Sequence, residues 1–231
     1  MSKKVAIICT SADKLGDHST GLWLEECAAP YNIFKEQGYD VEILSIRGGA
    51  VPVDAGSLAG DFYTAACKKF KEEDTEAWNK LQNTQAIDPA TTVAQFDALF
   101  FAGGHGTVAD FCTPGVLDCP VNSLVEKFYS TGKPLAAVCH GPMCLMEAKR
   151  PDGEPLVKGL NVTGFSDAEE VAVGMAGLVP YTPESQMKVL GANVSVADPF
   201  TANACRDGNL ITGQNPQSSE ATANLVVQAL G

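Results

Sequence analysis

The sequence predicts an α/β fold with an open, mostly parallel β-sheet and helices on both faces. Short, nearly all-apolar runs such as residues 5–9 and 98–101 are typical of strands buried on both faces. These runs alternate along the chain with longer segments of helical spacing. With 231 residues, 45% of them hydrophobic, the chain is long enough for a single domain with a substantial core.

The elements follow one another in chain order. The first strand is Val5–Cys9, and apolar residues then recur every three or four positions from Gly21 to Gln37, which predicts a helix. Gly38 ends that helix. Further strands are predicted at residues 41–46, 98–101, 134–138, 160–163, 193–196 and 209–212, followed by an amphipathic helix from about 218 to 230.

Residues 50–95 interrupt this alternation. The segment is longer than an ordinary crossover between strands, and it contains two helical-looking stretches. We therefore expect one domain over residues 1–231, with an inserted, cap-like segment at about 50–95 that packs over or beside the sheet.

Composition excludes several classes of function. A net charge of −12 argues against binding to nucleic acid or to anionic membranes. No apolar run approaches the ~20 residues of a membrane span, and the N-terminal apolar run is too short for a signal sequence. The eight cysteines are scattered through the chain, which favours a reducing, cytoplasmic location.

The sequence predicts neither a metal nor a cofactor. Cys112 and Cys119, like Cys139 and Cys144, lack zinc spacing. The three histidines show no His-x-x-x-His pairing, and no Gly-x-Gly-x-x-Gly fingerprint of a dinucleotide site is present.

Cys139 is the predicted nucleophile. The apolar run Pro134–Val138 leads directly into it, and Gly141 follows two residues later, which resembles a nucleophile elbow with a thiol. We expect Cys139 to be exposed at the tip of the turn, with the helix of residues 142–147 favouring its thiolate. The alternative is a buried core cysteine, but the turn context favours the nucleophile.

Other polar groups also follow predicted strands, and in an open α/β sheet such groups meet at one edge. The backbone N–H groups of Gly104 and His140 are predicted to form an oxyanion hole, with His105 beside them as a substrate-binding residue. No histidine follows position 140, so the base is His140, His105 or His18. Adjacency to Cys139 favours His140.

Five stretches together resemble the DJ-1/PfpI superfamily, and within it the Hsp31-like branch: residues 21–30, 103–107, 137–142, 162–170 and 207–216. The resemblance spans nearly the whole chain. It implies a flavodoxin-like three-layer sandwich of the class I glutamine-amidotransferase type, commonly a homodimer. It also implies a cofactor-independent lyase of the glyoxalase III (D-lactate dehydratase) type, which converts methylglyoxal or a related small dicarbonyl to lactate without glutathione.

The resemblance also implies roles for individual residues. The Glu-x-x-x-Pro signature of the family falls on Glu26–Pro30, which makes Glu26 the carboxyl that contacts the nucleophile and Glu25 a surface neighbour that faces away. The acidic third member falls on Glu170 or on the adjacent Glu169, and the distance from the Gly-Phe pair upstream favours Glu170. The downstream His-x-Glu of true amidotransferases is absent, which disfavours glutamine hydrolysis.

Other functions occur in the same superfamily. Members are also described as protein deglycases, holdase chaperones and peptidases. An accessible thiol at Cys139 would equally suit a redox sensor, because peroxide oxidises such thiols first. A chaperone should expose a large apolar patch, for which the sequence shows no obvious run, and an insertion that narrows the site disfavours a peptidase.

Overall fold

The structure is a computed structural model that describes residues 2–111 and 119–231, so that Cys112 lies outside the described residues. The strands are β1 (Lys4–Cys9), β2 (Lys14–Leu15), β3 (His18–Ser19), β4 (Asp40–Ser45), β5 (Gln85–Ala86), β6 (Ala98–Phe101), β7 (Leu135–Val138), β8 (Asn161–Val162), β9 (Asn193–Val194), β10 (Ala204–Asp207) and β11 (Leu210–Gly213).

Seven of these strands form the central sheet of the described chain, in the order β10-β11-β7-β6-β1-β4-β5. All neighbours are parallel except β10 and β11, which form an antiparallel edge. This sheet confirms the predicted α/β fold. The predicted strand at 160–163 is shorter and lies outside the central sheet, where β8 pairs with β9.

The α-helices are α1 (Glu25–Glu36), α2 (Ala65–Lys68), α3 (Thr75–Gln82), α4 (Pro89–Gln95), α5 (Thr107–Asp110), α6 (Pro120–Tyr129), α7 (Asp167–Ala172), α8 (Pro183–Val189) and α9 (Ser219–Leu230). Short 3₁₀ turns occur at Ala55–Leu58, Gly60–Phe62, Gly141–Leu145 and Pro216–Ser218, and a π-helical turn at Lys69–Glu73. No helix in the described ranges is long and apolar enough to cross a bilayer.

Helices cover both faces of the sheet because side chains alternate between the two faces along each strand. Val5 and Ile7 of β1 pack into the layer that includes α1 and α9, whereas Ala6 and Ile8 pack into the opposite layer with α6. Both sets are buried, which explains why the strands are apolar throughout.

Helix α1 begins later than predicted. The spacing placed its start at Gly21, but the helix begins at Glu25. The residues before it are extended, because the backbone of Leu22 pairs with the segment around Val53, with Leu22 N–H donating to Pro52 O at 2.8 Å. Helical spacing alone could not reveal this pairing between distant segments.

The segment at 50–95 is only in part an addition to the sheet. Its first half forms the 3₁₀ turns, α2, the π-helical turn and α3. Of these, α2 and the π-helical turn pack against α1, with Phe70 edge-on to Tyr31 at 5.1 Å, and α3 packs against the π-helical turn and β4. Its second half supplies the edge strand β5 and then α4, which packs on α6. The second half therefore belongs to the sheet and its helical layer, and the cap-like part is shorter than predicted.

Candidate active site

Cys139 sits at a strained turn directly after β7. Its φ is +60°, a conformation that residues with a side chain rarely adopt and that surrounding contacts must hold in place. Those contacts are its own N–H, which donates to Gly213 O at 3.0 Å, and its carbonyl, which accepts from Phe165 N–H at 2.9 Å. The positive φ lies on the cysteine itself. Gly141 is needed for another reason, since a Cβ there would lie 2.3 Å from Phe101 O.

The expectation of an exposed, ionised thiol is wrong. Cys139 is only 4% exposed, and the turn continues into a five-residue 3₁₀ turn in place of the predicted helix. Burial raises the pKa of the Cys139 thiol well above its usual value, and the nearby Glu26 raises it further. The thiol is therefore protonated at rest and needs a base at the moment of reaction.

His140 is positioned to act as that base. Its Nδ1 lies 3.4 Å from Cys139 Sγ, and its Nε2 lies 2.8 Å from Glu170 Oε2. Burial and, to a smaller extent, the nearby His105 lower the pKa of His140 to about 4, so the imidazole is neutral at pH 7. Because the ionised Glu170 accepts the proton of Nε2–H, the lone pair of Nδ1 is left facing the sulfur.

Glu170 holds two histidines at once. Its Oε1 accepts from His105 Nε2 at 2.7 Å while its Oε2 accepts from His140. Burial alone would raise the pKa of Glu170, but the hydrogen bonds from the two histidines outweigh it and lower the pKa to about 2. The carboxylate thus stays charged and fixes the tautomer of each ring.

Glu169, the alternative third member, does not contact His140. Its carboxylate accepts from Ser166 in a capping box at the start of α7 and from the side chains of Gln214 and Asn215 and the backbone N–H of Phe200. The two adjacent glutamates therefore have different contacts. Glu170 orients the two histidines, whereas Glu169 links the start of α7 to the loop at Phe200 and to residues 214–215.

One group among the described residues could hold a metal ion: His105, His140 and Glu170 each offer a ligand atom, and these atoms lie within 4.8 Å of one another. Two histidines and a carboxylate suit zinc. Each histidine already donates a hydrogen bond to Glu170. An ion would also occupy the imidazole that faces Cys139, so the absence of a metal remains our prediction.

Glu26 lies on the first turn of α1, fully buried beside the thiol. Its Oε2 accepts from Gly103 N–H at 2.8 Å, while Oε1 has no hydrogen-bond partner in the described part of the chain. Burial raises the pKa of Glu26 to about 8, and the adjacent Cys139 side chain and the hydrogen bond from Gly103 only partly oppose this. A carboxyl that titrates near neutral pH, next to a nucleophile, can both give and take a proton.

Glu25 is not the surface residue that was expected. It is half-buried, and its carboxylate accepts from Thr64 Oγ1 and from Cys67 Sγ at the start of α2. It faces the cap-like segment, and Cys139 is not among its contacts.

The loop after β6 brings backbone donors to the sulfur. A Cβ on Gly103 would lie 2.5 Å from Glu26 Oε2, and a Cβ on Gly104 would lie 2.3 Å from Gly21 O, so neither position tolerates a side chain. Gly104 has φ +95°, and its N–H makes no hydrogen bond within the described ranges. Together with the backbone N–H of His140, which lies next to the sulfur, it can receive an oxyanion.

These groups open into a cavity of about 220 Å³. Cys139, His140, Glu26, Gly104 and His105 all line it. Glu170 does not line the cavity but hydrogen-bonds to both histidines, so the structure brings all six predicted site residues together. His18, the third candidate base, also reaches the cavity, from the exposed hairpin β2–β3. No hydrogen bond joins it to Cys139 within the described chain, which leaves His140 as the base that the geometry favours.

Sequence reasoning missed the apolar half of the cavity. Its walls include six apolar side chains: Trp23, Phe62, Phe165, Val173, Met175 and Phe200. Phe165 packs on the ring of His140 with centroids 4.6 Å apart, and Phe62 meets Trp23 edge-on at 5.1 Å. These residues come from separate loops and carry no local pattern that would have identified them.

Comparison with known proteins identifies similar proteins over nearly the whole chain. The profile of the DJ-1/PfpI family matches residues 3–229. The glutathione-independent glyoxalase HSP31 of Saccharomyces cerevisiae is 30% identical over 238 residues, covering 99% of this chain and 98% of that protein.

Two solved structures are similar to this chain in fold over nearly its whole length. The crystal structure of glyoxalase III from Candida albicans superposes with a TM-score of 0.84 at 29% identity, covering 98% of this chain and 97% of that one. The Rapid Encystment Protein of Francisella tularensis superposes with a TM-score of 0.89 at 33% identity, covering 99% of both chains.

Proposed function

The chain belongs to the DJ-1/PfpI family, and on that premise we propose that it is a glutathione-independent glyoxalase. In this proposal it converts methylglyoxal, or a related small dicarbonyl, to lactate through a covalent hemithioacetal on Cys139. Two relatives named as glutathione-independent glyoxalases match 99% and 91% of the chain. The observation that carries the proposal is the proximity of a buried carboxyl of raised pKa, Glu26, to a thiol with its own histidine base.

The first step forms a carbon–sulfur bond. His140 Nδ1 takes the thiol proton as Cys139 Sγ attacks the aldehyde carbon, C1. The negative charge develops on the aldehyde oxygen, where the N–H groups of Gly104 and His140 stabilise it. Return of the proton from His140 gives the neutral hemithioacetal.

The second step moves hydrogen from C1 to C2. The Glu26 carboxylate removes the proton on C1, which leaves an ene-diolate with its negative charge on the C2 oxygen, and the protonated Glu26 then delivers that proton to C2. The hydroxyl proton passes from the C1 oxygen to the C2 oxygen, and the product is a thioester of lactate on Cys139. No hydride carrier takes part, because C1 is oxidised by two electrons while C2 is reduced by two electrons.

The third step releases the product. His140, whose orientation is fixed by Glu170, activates a water molecule that attacks the thioester carbon. The same oxyanion donors act again, and Cys139 leaves as a thiol once His140 returns the proton. The sum is methylglyoxal plus water giving lactate.

The direct test is lactate formation from methylglyoxal by the purified protein without glutathione. We expect turnover on methylglyoxal and none on glutamine or a peptide ester. Absence of lactate from every dicarbonyl in the presence of folded protein would overturn the proposal, and cleavage of the ester would point to the peptidase alternative.

The pH dependence follows from Glu26. The base form of this carboxyl is required, so activity is lost as pH falls below the folded pKa of about 8. We expect kcat/KM, which reports the pKa of the free enzyme, to level off above pH 8 and to fall about tenfold for each unit below it. A profile that is flat from pH 6 to 9 would contradict this assignment. The rate of Cys139 alkylation over the same range separates titration of the thiol from that of the carboxyl.

The cavity favours the enzyme over the other candidates. A peptidase needs an open groove, whereas the described residues enclose the sulfur at the bottom of a pocket, with Cys139 only 4% exposed. A peroxide sensor needs an accessible thiol of low pKa, and burial raises the pKa of this one.

A further inference from the structure

One side of the cavity is lined by apolar side chains that have no role in the proposed reaction. Three of its side chains are unusually exposed for large apolar residues: Phe62 is 45%, Val173 44% and Phe200 39% exposed. All three line the cavity. Apolar side chains that converge on a pocket while remaining exposed are typical of a binding site for an apolar group.

Phe200 is held in place at a conformational cost. Its φ is +58°, which is an outlier for a bulky residue. Its backbone N–H donates to Glu169 Oε1 at 2.7 Å, and the same carboxylate binds Gln214 and Asn215. Strain of this kind persists where the surrounding contacts impose it, and it clusters at ligand sites. Glu169 therefore positions a wall of the cavity, while its neighbour Glu170 orients the histidines.

The cavity is larger than methylglyoxal requires. Methylglyoxal places only a methyl group beyond its two carbonyl carbons. The cavity volume is about 220 Å³, and an apolar cavity of roughly 150 Å³ in an engineered protein is enough to bind benzene. A phenyl-sized group thus fits in the space between the reactive groups and the rim.

The direction of that group follows from the chemistry. Cys139 must reach C1, and Glu26 must reach both C1 and C2, so both carbons lie at the inner end of the cavity. The substituent on C2 then has to extend away from these residues, toward the apolar side chains.

We propose that the preferred substrates are α-oxoaldehydes with an aryl or branched-alkyl substituent, and that Phe62, Val173 and Phe200 form the pocket for that substituent. This inference rests on the proposed glyoxalase function and names its substrate class. The reaction is the same: an arylglyoxal plus water gives the corresponding 2-hydroxy acid, with hydrogen moved from C1 to C2. No other reactant is needed.

The test compares methylglyoxal with phenylglyoxal, measuring lactate and mandelate. In the wild type we expect kcat/KM to be about tenfold higher for phenylglyoxal. F200A should lower kcat/KM for phenylglyoxal about tenfold, mainly through KM, and should lower it for methylglyoxal much less.

Val173 and Val189 provide a matched pair, because each lies at the C-terminal end of a short helix and only Val173 lines the cavity. V173A should lower kcat/KM for phenylglyoxal by about fivefold, whereas V189A should leave both substrates unchanged. V173A also keeps the proposal testable if F200A fails to fold.

The experiment distinguishes an error in the proposed glyoxalase function from an error in the proposed apolar pocket. If neither oxoaldehyde gives a 2-hydroxy acid, the glyoxalase function is wrong. If methylglyoxal is converted but phenylglyoxal is not preferred, or if V173A affects both substrates equally, the function stands and the apolar pocket does not.

Discussion

Cys139→Ala should lower kcat for lactate formation by about three orders of magnitude or more, while the protein stays folded. Every step of the proposed reaction passes through a bond to Cys139 Sγ, and no other described cysteine lines the cavity. Truncation only enlarges an existing cavity, so we expect the melting temperature to change little.

Two measurements separate this account from a structural role for Cys139. Circular dichroism and thermal unfolding report on the fold, and a lactate assay reports on turnover. A variant that unfolds would favour a core cysteine. A folded variant with full activity would exclude Cys139 as the nucleophile.

Glu26→Gln should lower kcat by about a hundredfold or more, and Cys139 should still react with an alkylating agent. An amide has the shape of the carboxyl but cannot carry the proton from C1 to C2. The Gly103 N–H can still donate to the side-chain oxygen, so the loop is expected to keep its position. Lactate formation and the rate of alkylation are the two readouts.

Glu25→Gln is the matched control, since it changes the adjacent residue in the same way. Glu25 bonds to Thr64 and Cys67 and not to Cys139, so its substitution should leave kcat nearly unchanged. Its half-buried contacts with α2 lead us to expect a small loss of thermal stability. Equal effects of the two variants on kcat, or a larger effect at Glu25, would show that the assignment to Glu26 is wrong.

The features that could be predicted from the sequence are those that a short local pattern of residues determines. The parallel strands are apolar because both of their faces are buried, so β1, β6 and β7 could be identified before their neighbours were known. Cys139 was recognisable because a strand runs directly into it. The Gly-Gly pair after β6 was predicted to join it because parallel strands end at a common edge.

The sequence contains a pattern that distinguishes Glu169 from Glu170 and that the sequence analysis did not use. Ser166 precedes Glu169 by three residues, the spacing of a capping box, and this occupies the Glu169 side chain at the start of α7. Applying that pattern would have left Glu170 as the carboxylate free to meet His140.

Other features could not be predicted because they depend on contacts between distant segments. The pairing of Leu22 with Val53 delays the start of α1. Burial of the Cys139 thiol depends on how loops around the cavity pack, so its raised pKa has no local signal. The positions of Phe62 and Phe200 follow from the cap-like segment and from the carboxylate of Glu169.

The central claim is that Cys139 forms a covalent hemithioacetal that Glu26 then rearranges. Native mass spectrometry of Glu26→Gln during incubation with methylglyoxal tests it most directly, with Cys139→Ala as the control. We expect Glu26→Gln to accumulate one methylglyoxal adduct, which peptide mapping assigns to Cys139, and we expect no such adduct in Cys139→Ala. An adduct present in both variants, or no adduct in Glu26→Gln while lactate is still produced, would contradict the account.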